Sequence, residues 1–110
     1  MQLKEIMDGC KHLHVVEQRC STTEFIDLVF NNAEIEEWQR VLSSFLGAPR
    51  KPKGQAPSDS DLRITAKTGG IRTDQTLFEK DFPVSTIIAK FWPWKDNQHT
   101  TLRMAMLSRR

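Results

Sequence analysis

Residues 32–47, NAEIEEWQRVLSSFLG, decide the fold, because their periodicity admits a single reading. Ile35, Trp38, Leu42 and Phe45 recur at steps of three and four, and Val41 and Leu46 widen the stripe. That spacing puts the apolar side chains on one face of an α-helix. Asn31 or Asn32 offers a short side-chain oxygen to the exposed N–H groups of the first turn. Glu34, Glu36 and Glu37 sit where the positive end of the helix dipole favours them. Gly47 and Pro49 stop the helix on backbone grounds. The stretch therefore predicts one long amphipathic helix from about Asn32 to Leu46, and the rest of the chain must supply the surface it packs on.

Most of that remainder reads as strand. EFIDLVF, residues 24–30, admits a helix, since Ser21 and Glu24 form a capping-box pair. A strand fits better, because the run is short, rich in Phe, Ile and Val, and halted by Asn31-Asn32. It places Ile26, Leu28 and Phe30 on one side and Phe25, Asp27 and Val29 on the other. Upstream, CKHLHVVEQR (residues 10–19) alternates, with Cys10, His12, His14 and Val16 on one face and a turn near Arg19 to Thr22. Before it, Leu3, Ile6 and Met7 suggest a short N-terminal helix ending at Gly9.

Downstream, residues 48–60 are rich in Pro, Lys and Ser and predict a flexible loop. DLRITAKT (61–68) alternates, with Leu62, Ile64 and Ala66 inward and Arg63, Thr65 and Lys67 outward. Gly69-Gly70 suits a hairpin turn into IRTDQTLFEKDF (71–82). VSTIIAKFW (84–92) and HTTLRMAMLSR (99–109) make a second hairpin around Pro93 and the polar KDNQ, with Leu102, Met104 and Met106 on one face. The expected architecture is a single α+β domain over residues 1–110. It is an antiparallel sheet of about five to six strands, including two C-terminal hairpins, with the helix on one face.

Composition narrows the function classes. The 110 residues suit one domain, and 38% hydrophobic with 27% charged residues is globular. Sixteen basic residues against fourteen acidic give a net charge of +2, too weak to argue for nucleic acid by itself. No apolar run nears the roughly 18 residues of a membrane span, and the N-terminus lacks a signal-peptide core. Reduced thiols at Cys10 and Cys20 and a cytoplasmic setting are the expectation. Motifs for a nucleophile elbow, a phosphate-binding loop, a dinucleotide fingerprint or a zinc protease are absent, so an enzyme is the less favoured reading, and no cofactor is expected.

Three features carry candidate chemistry. On a strand, Cys10, His12 and His14 would project from one face at a spacing suited to Zn²⁺; the competing reading makes Cys10 a small buried hydrophobe and the histidines a solvated face. Arg63, Lys67, Arg72, Lys90 and Arg103, with Trp92 among them, would form a basic sheet face able to bind single-stranded nucleic acid. The loop residues Arg50, Lys51 and Lys53 and the terminal Arg109-Arg110 would extend it, although such charges also simply keep a sheet soluble. Finally, FWPWK gathers Phe91, Trp92 and Trp94 at a strand end. They suit an anchor for a protein partner, or else a cap on the core that meets Trp38. The leading expectation is a non-catalytic protein-interaction module, with a homodimer through an open sheet edge as one form of it.

Overall fold

A computed structural model describes residues 1–108 of the chain. The predicted helix is present as α2 (Ile35–Leu46), entered through a 3-10 turn at Asn32–Glu34. Trp38, Val41, Leu42 and Leu46 are buried, with Ile35 and Phe45 half-buried beside them. Neither asparagine caps the helix through its side chain. Asn32 Oδ1 instead accepts from the Thr100 hydroxyl, which ties the helix entry to the sheet. Gly47 closes the helix at φ +83°, in the left-handed region where a side chain is strained.

α2 lies on an antiparallel sheet of five strands: β1 (Glu17–Ser21), β2 (Phe25–Asn31), β3 (Thr76–Asp81), β4 (Ser85–Pro93) and β5 (His99–Ser108). Their spatial order is β1-β2-β5-β4-β3. Alternation sends Ile26, Leu28, Phe30, Phe78, Ile87, Ala89, Phe91, Leu102 and Met104 to one face, and α2 closes over them. Phe30 stacks on Trp38 at 4.8 Å and meets Phe91 edge-on at 5.4 Å. The N-terminal helix, α1 (Leu3–Gly9), adds Leu3 and Ile6 to the same core. Gly9 permits that approach, since a Cβ there would stand 2.8 Å from the Phe45 ring.

Two segments depart from the sequence reading. Residues 10–16 are not a strand: α1 runs to Gly9 and the chain then turns, with the Leu13 N–H donating to the Cys10 carbonyl at 2.9 Å. Cys10 and Leu13 both enter the core, three residues apart, so turn spacing overrides the apparent alternation. Strand structure begins only at Glu17.

Residues 61–68 are helical as well. A third helix, α3, spans Asp59–Thr65 and runs into a 3-10 turn at Ala66–Thr68. Ser58 Oγ accepts from the Asp61 N–H at 3.1 Å, and Asp61 Oδ2 accepts from the Ser58 N–H at 3.0 Å. This reciprocal cap satisfies donors that a strand would leave to a ladder. Asp61 and Thr65, four apart, are buried, whereas Leu62 is exposed. Gly69 and Gly70 do take positive φ, but they lead from the 3-10 turn into residues 71–75 and close no hairpin. The sheet accordingly has five strands, within the expected five to six, the expected hairpin of 61–68 with 71–82 does not form, and β3, β4 and β5 make a meander.

Residues 48–60, expected as a flexible loop, are anchored at Lys51, whose backbone exchanges hydrogen bonds with Leu77 of β3. Opposite α2, Ile71, Leu77, Ile88 and Ala105 form a second, smaller cluster flanked by Phe25, Ile64 and Leu107. The second sheet face is therefore partly roofed by α3 and the segment that follows it. No helix among the described residues is long and apolar enough to cross a membrane.

Candidate functional site

On the partly roofed face, sheet register lines up Asp27, Arg103 and Lys90 on adjacent strands β2, β5 and β4. Their neighbours Leu28, Leu102 and Phe91 point into the core, so these three polar side chains point away from α2. Lys90 is only 1% exposed. Its ammonium donates to the carbonyls of Thr68, at 2.5 Å, and Gly70, at 2.7 Å. Burial, reinforced by the Arg103 charge and partly offset by Asp27, pushes the Lys90 pKa down to about 8. Arg103 donates to the Thr68 carbonyl at 3.1 Å and to Asp27 Oδ2 at 3.0 Å.

A second buried lysine works in the same way. Lys51 donates to the carbonyls of Pro52, Thr73 and Gln75. Burial likewise lowers its pKa, with Asp61 and Asp74 pulling the other way. Three cations thus hold residues 68–75 against the sheet by their main-chain oxygens. Gly69 takes φ +97°, a conformation that strains any side chain, and a Cβ there would also press on Arg103 Nη1 at 2.9 Å.

Above this floor sit the two tryptophans at the end of β4. The Trp92 ring is flanked by Arg103 at 5.3 Å, Arg72 at 5.5 Å and the Lys90 ammonium at 5.7 Å. The Trp94 indole donates to Thr101 Oγ1 at 2.9 Å, with His99 at 5.1 Å and the Arg19 guanidinium at 5.5 Å. Such cation–ring contacts fix both partners electrostatically. Together Arg19, Arg72, Trp92, Trp94, Lys95 and Arg103 line a groove of about 550 Å³. Thr101, Asp74, Asp96 and Pro93 complete its lining.

The residues singled out in the sequence divide between places. Trp92, Trp94, Arg72, Lys90 and Arg103 converge on this groove or its floor. Phe91 does not: it is a core residue, 2% exposed, beneath α2. Trp38 projects from α2 onto the sheet, on the opposite face from Trp92 and Trp94, and so does not meet them. Arg63 and Lys67 belong to α3 and its 3-10 turn and do not line the groove, because the strand that would have aligned them is helical. Arg50 pairs with Asp61 and Glu79, each at 3.0 Å, and Lys51 is buried, so the basic loop is largely spent internally. Arg109-Arg110 lie outside the described residues.

Cys10, His12 and His14 are not brought into one row. Cys10 is in the core, where burial pushes its thiol up to about 11. His12 is exposed, 3.7 Å from Glu37, and exposed His14 contributes a backbone N–H to Glu34. Among the described residues no group of three or more His, Cys, Asp or Glu is placed to hold a metal ion. Both cysteines are free thiols.

Sequence reasoning missed Arg19 and Lys95. Arg19 lies within β1, where the register shifts between Gln18 and Cys20, and its guanidinium stands over the Trp94 ring. Asp27 carried a readable signal, as an acidic residue inside an otherwise apolar strand whose buried charge demands a cationic partner. Comparison with protein-family models, curated proteins and solved structures gave no match to this chain.

Proposed function

We propose that this chain is a small non-catalytic interaction module that binds a protein partner through the tryptophan–arginine groove. The observation that carries this reading is how Trp92 and Trp94 are held. Both rings stay half-buried, positioned by cations and by one hydrogen bond to Thr101 rather than enclosed in a core. Large rings already fixed at a surface lose little entropy on binding, which is the property of an interface anchor.

Binding of single-stranded nucleic acid is the second reading, favoured by the company of rings and guanidinium groups. It is weaker because cations already crowd the Trp92 ring and because Arg63, Lys67, Arg50 and Lys51 do not extend a basic track.

The anchor role is tested by stability. Phe91→Ala should cost about 3–5 kcal/mol as a core truncation, and Trp94→Ala about 1 kcal/mol or less. Denaturant unfolding measures both, and equal losses would make Trp94 a core residue and end the reading. Light scattering addresses the homodimer form, which a monomer at high concentration would remove.

A further inference from the structure

We infer that the groove receives an acidic peptide segment, whose carboxylates pair with Arg72, Lys95 and Arg19 while an apolar side chain rests on Trp94. This rests on the groove being the contact surface, and it adds the chemistry of the partner. The groove is lined by four cations, Arg19, Arg72, Lys95 and Arg103, against two carboxylates, Asp74 and Asp96.

One of the two carboxylates is already engaged. Asp96 accepts from the backbone N–H groups of Gln98 and His99 and pairs with His99 Nδ1 at 2.5 Å. The His99 contact, with the Gln98 N–H, holds its carboxyl below the usual carboxylate range. Asp74 stands 4.0 Å from Arg72, looser than a direct hydrogen bond.

The cations are less committed. Arg103 is consumed by Asp27 and Thr68. Arg72, with a side chain 67% exposed, and exposed Lys95 keep open donors. Arg19 stands 3.6 Å from Glu17 and 4.0 Å from Asp27, looser than direct hydrogen bonds. Buried Lys90 adds positive charge to the floor, where little water screens it.

Stacking on indole rings pre-orders Arg72 and Arg19, and a guanidinium fork matches a carboxylate in two-point contact. The four cations line a single groove, and none of Arg63, Lys67 and Lys51 is among its lining residues to continue it along a phosphate backbone. A short acidic segment fits that groove better than a nucleic-acid strand does.

The test follows the indole N–H signals of the ¹⁵N-labelled 110-residue chain, with Trp38, buried between α2 and the sheet, as the internal control. Three probes are compared: a peptide alternating Glu and Leu, the same peptide with Gln for every Glu, and an oligothymidylate. The Glu peptide should shift the Trp92 and Trp94 indoles and leave Trp38 unmoved. Its affinity should fall roughly tenfold with Arg72→Glu or Lys95→Glu, and also in high salt. Both positions are exposed, so the variants should keep the wild-type spectrum elsewhere. If the Gln peptide binds as tightly, the acidic inference fails while the groove reading stands. If the oligothymidylate shifts the indoles at lower concentration than the Glu peptide, nucleic acid replaces the peptide and both readings fall. If no probe moves either indole, the groove itself is wrongly assigned.

Discussion

Beneath α2 the sheet presents Leu28, Phe30, Ile87, Phe91 and Leu102, all essentially removed from water, with Trp38 stacked on Phe30. From the same strands, at the adjacent positions, Asp27, Lys90, Thr101 and Arg103 point to the other side. The first face is closed by non-directional burial, which rewards any well-filled arrangement of apolar volume. The second is closed by a smaller apolar cluster around Leu77 and Ile88 together with directional bonds from ammonium and guanidinium groups to main-chain oxygens of residues 68–75. Burying charge costs free energy, and such bonds offset that cost only where the geometry is specific. The difference shows why the second face can leave two tryptophan rings at the surface: its closure does not depend on burying them.

Trp38→Ala tests the contrast most severely. The side chain is fully buried, so truncation should destabilise by about 3–5 kcal/mol, read by denaturant unfolding. Trp92→Ala, on the other face, should cost clearly less, and an equal loss would break the comparison. Trp38→Phe sharpens it, because the Trp38 indole N–H is buried without a hydrogen-bond partner. Phe keeps a ring on Phe30 and removes that donor, so most of the alanine penalty should be recovered.

Alkaline pH should act on the two faces with opposite sign. Lys90 has its pKa lowered from 10.5 to about 8, so the folded state loses its proton first as pH rises. Below pH 8 both states are charged and the burial cost is complete. Stability from this group then rises until about pH 10.5, by about 3 kcal/mol in total. Cys10 behaves in reverse. Its thiol pKa is raised from 9.0 to about 11, so the unfolded state ionises first and stability is lost between those values, again by about 3 kcal/mol.

Wild type should therefore gain stability from pH 8 to 9 and then level off, because the two effects cancel. Lys90→Met should remove most of the gain and expose the loss above pH 9, with Lys51 supplying a residual rise of the same sign as Lys90. Cys10→Ala should extend the gain toward pH 10.5. Urea titrations across this range measure all three, and identical profiles for wild type and Lys90→Met would show that the ammonium is not held as described.

The first face was legible in the sequence and the second only in part. Ile35, Trp38, Leu42 and Phe45 repeat over three turns, long enough for the helical period to exclude alternatives. Ile26, Leu28 and Phe30, and the β4–β5 hairpin, were legible from clean alternation. Seven-residue α3 is too short for that test: its Leu62 and Ile64 fit a strand's alternation as readily. Taking it as a strand also misplaced Arg63 and Lys67. Trp92, Arg72, Lys90 and Arg103 were legible as outward residues, but nothing in a lysine's identity says that carbonyls will roof it. Arg19 was read at the start of a turn, whereas it lies within β1.

Ser58→Ala gives the smallest effect and asks how the second face keeps its roof. The Ser58-Asp61 box lay in the sequence as S-x-x-D, a helix start hidden at the end of a Pro-rich stretch. Alanine removes the oxygen that accepts from the Asp61 N–H while leaving the Asp61 carboxylate on the Ser58 N–H and on Arg50. The loss should be about 1 kcal/mol and mainly local. Hydrogen exchange should quicken at residues 59–65 and stay unchanged at Leu42 and Leu102. Residues 68–75 should also keep their protection, because Lys51, Lys90 and Arg103 hold them independently of α3. If their exchange quickens together with α3, the roof is one cooperative unit resting on its cap, and the cations alone do not secure it.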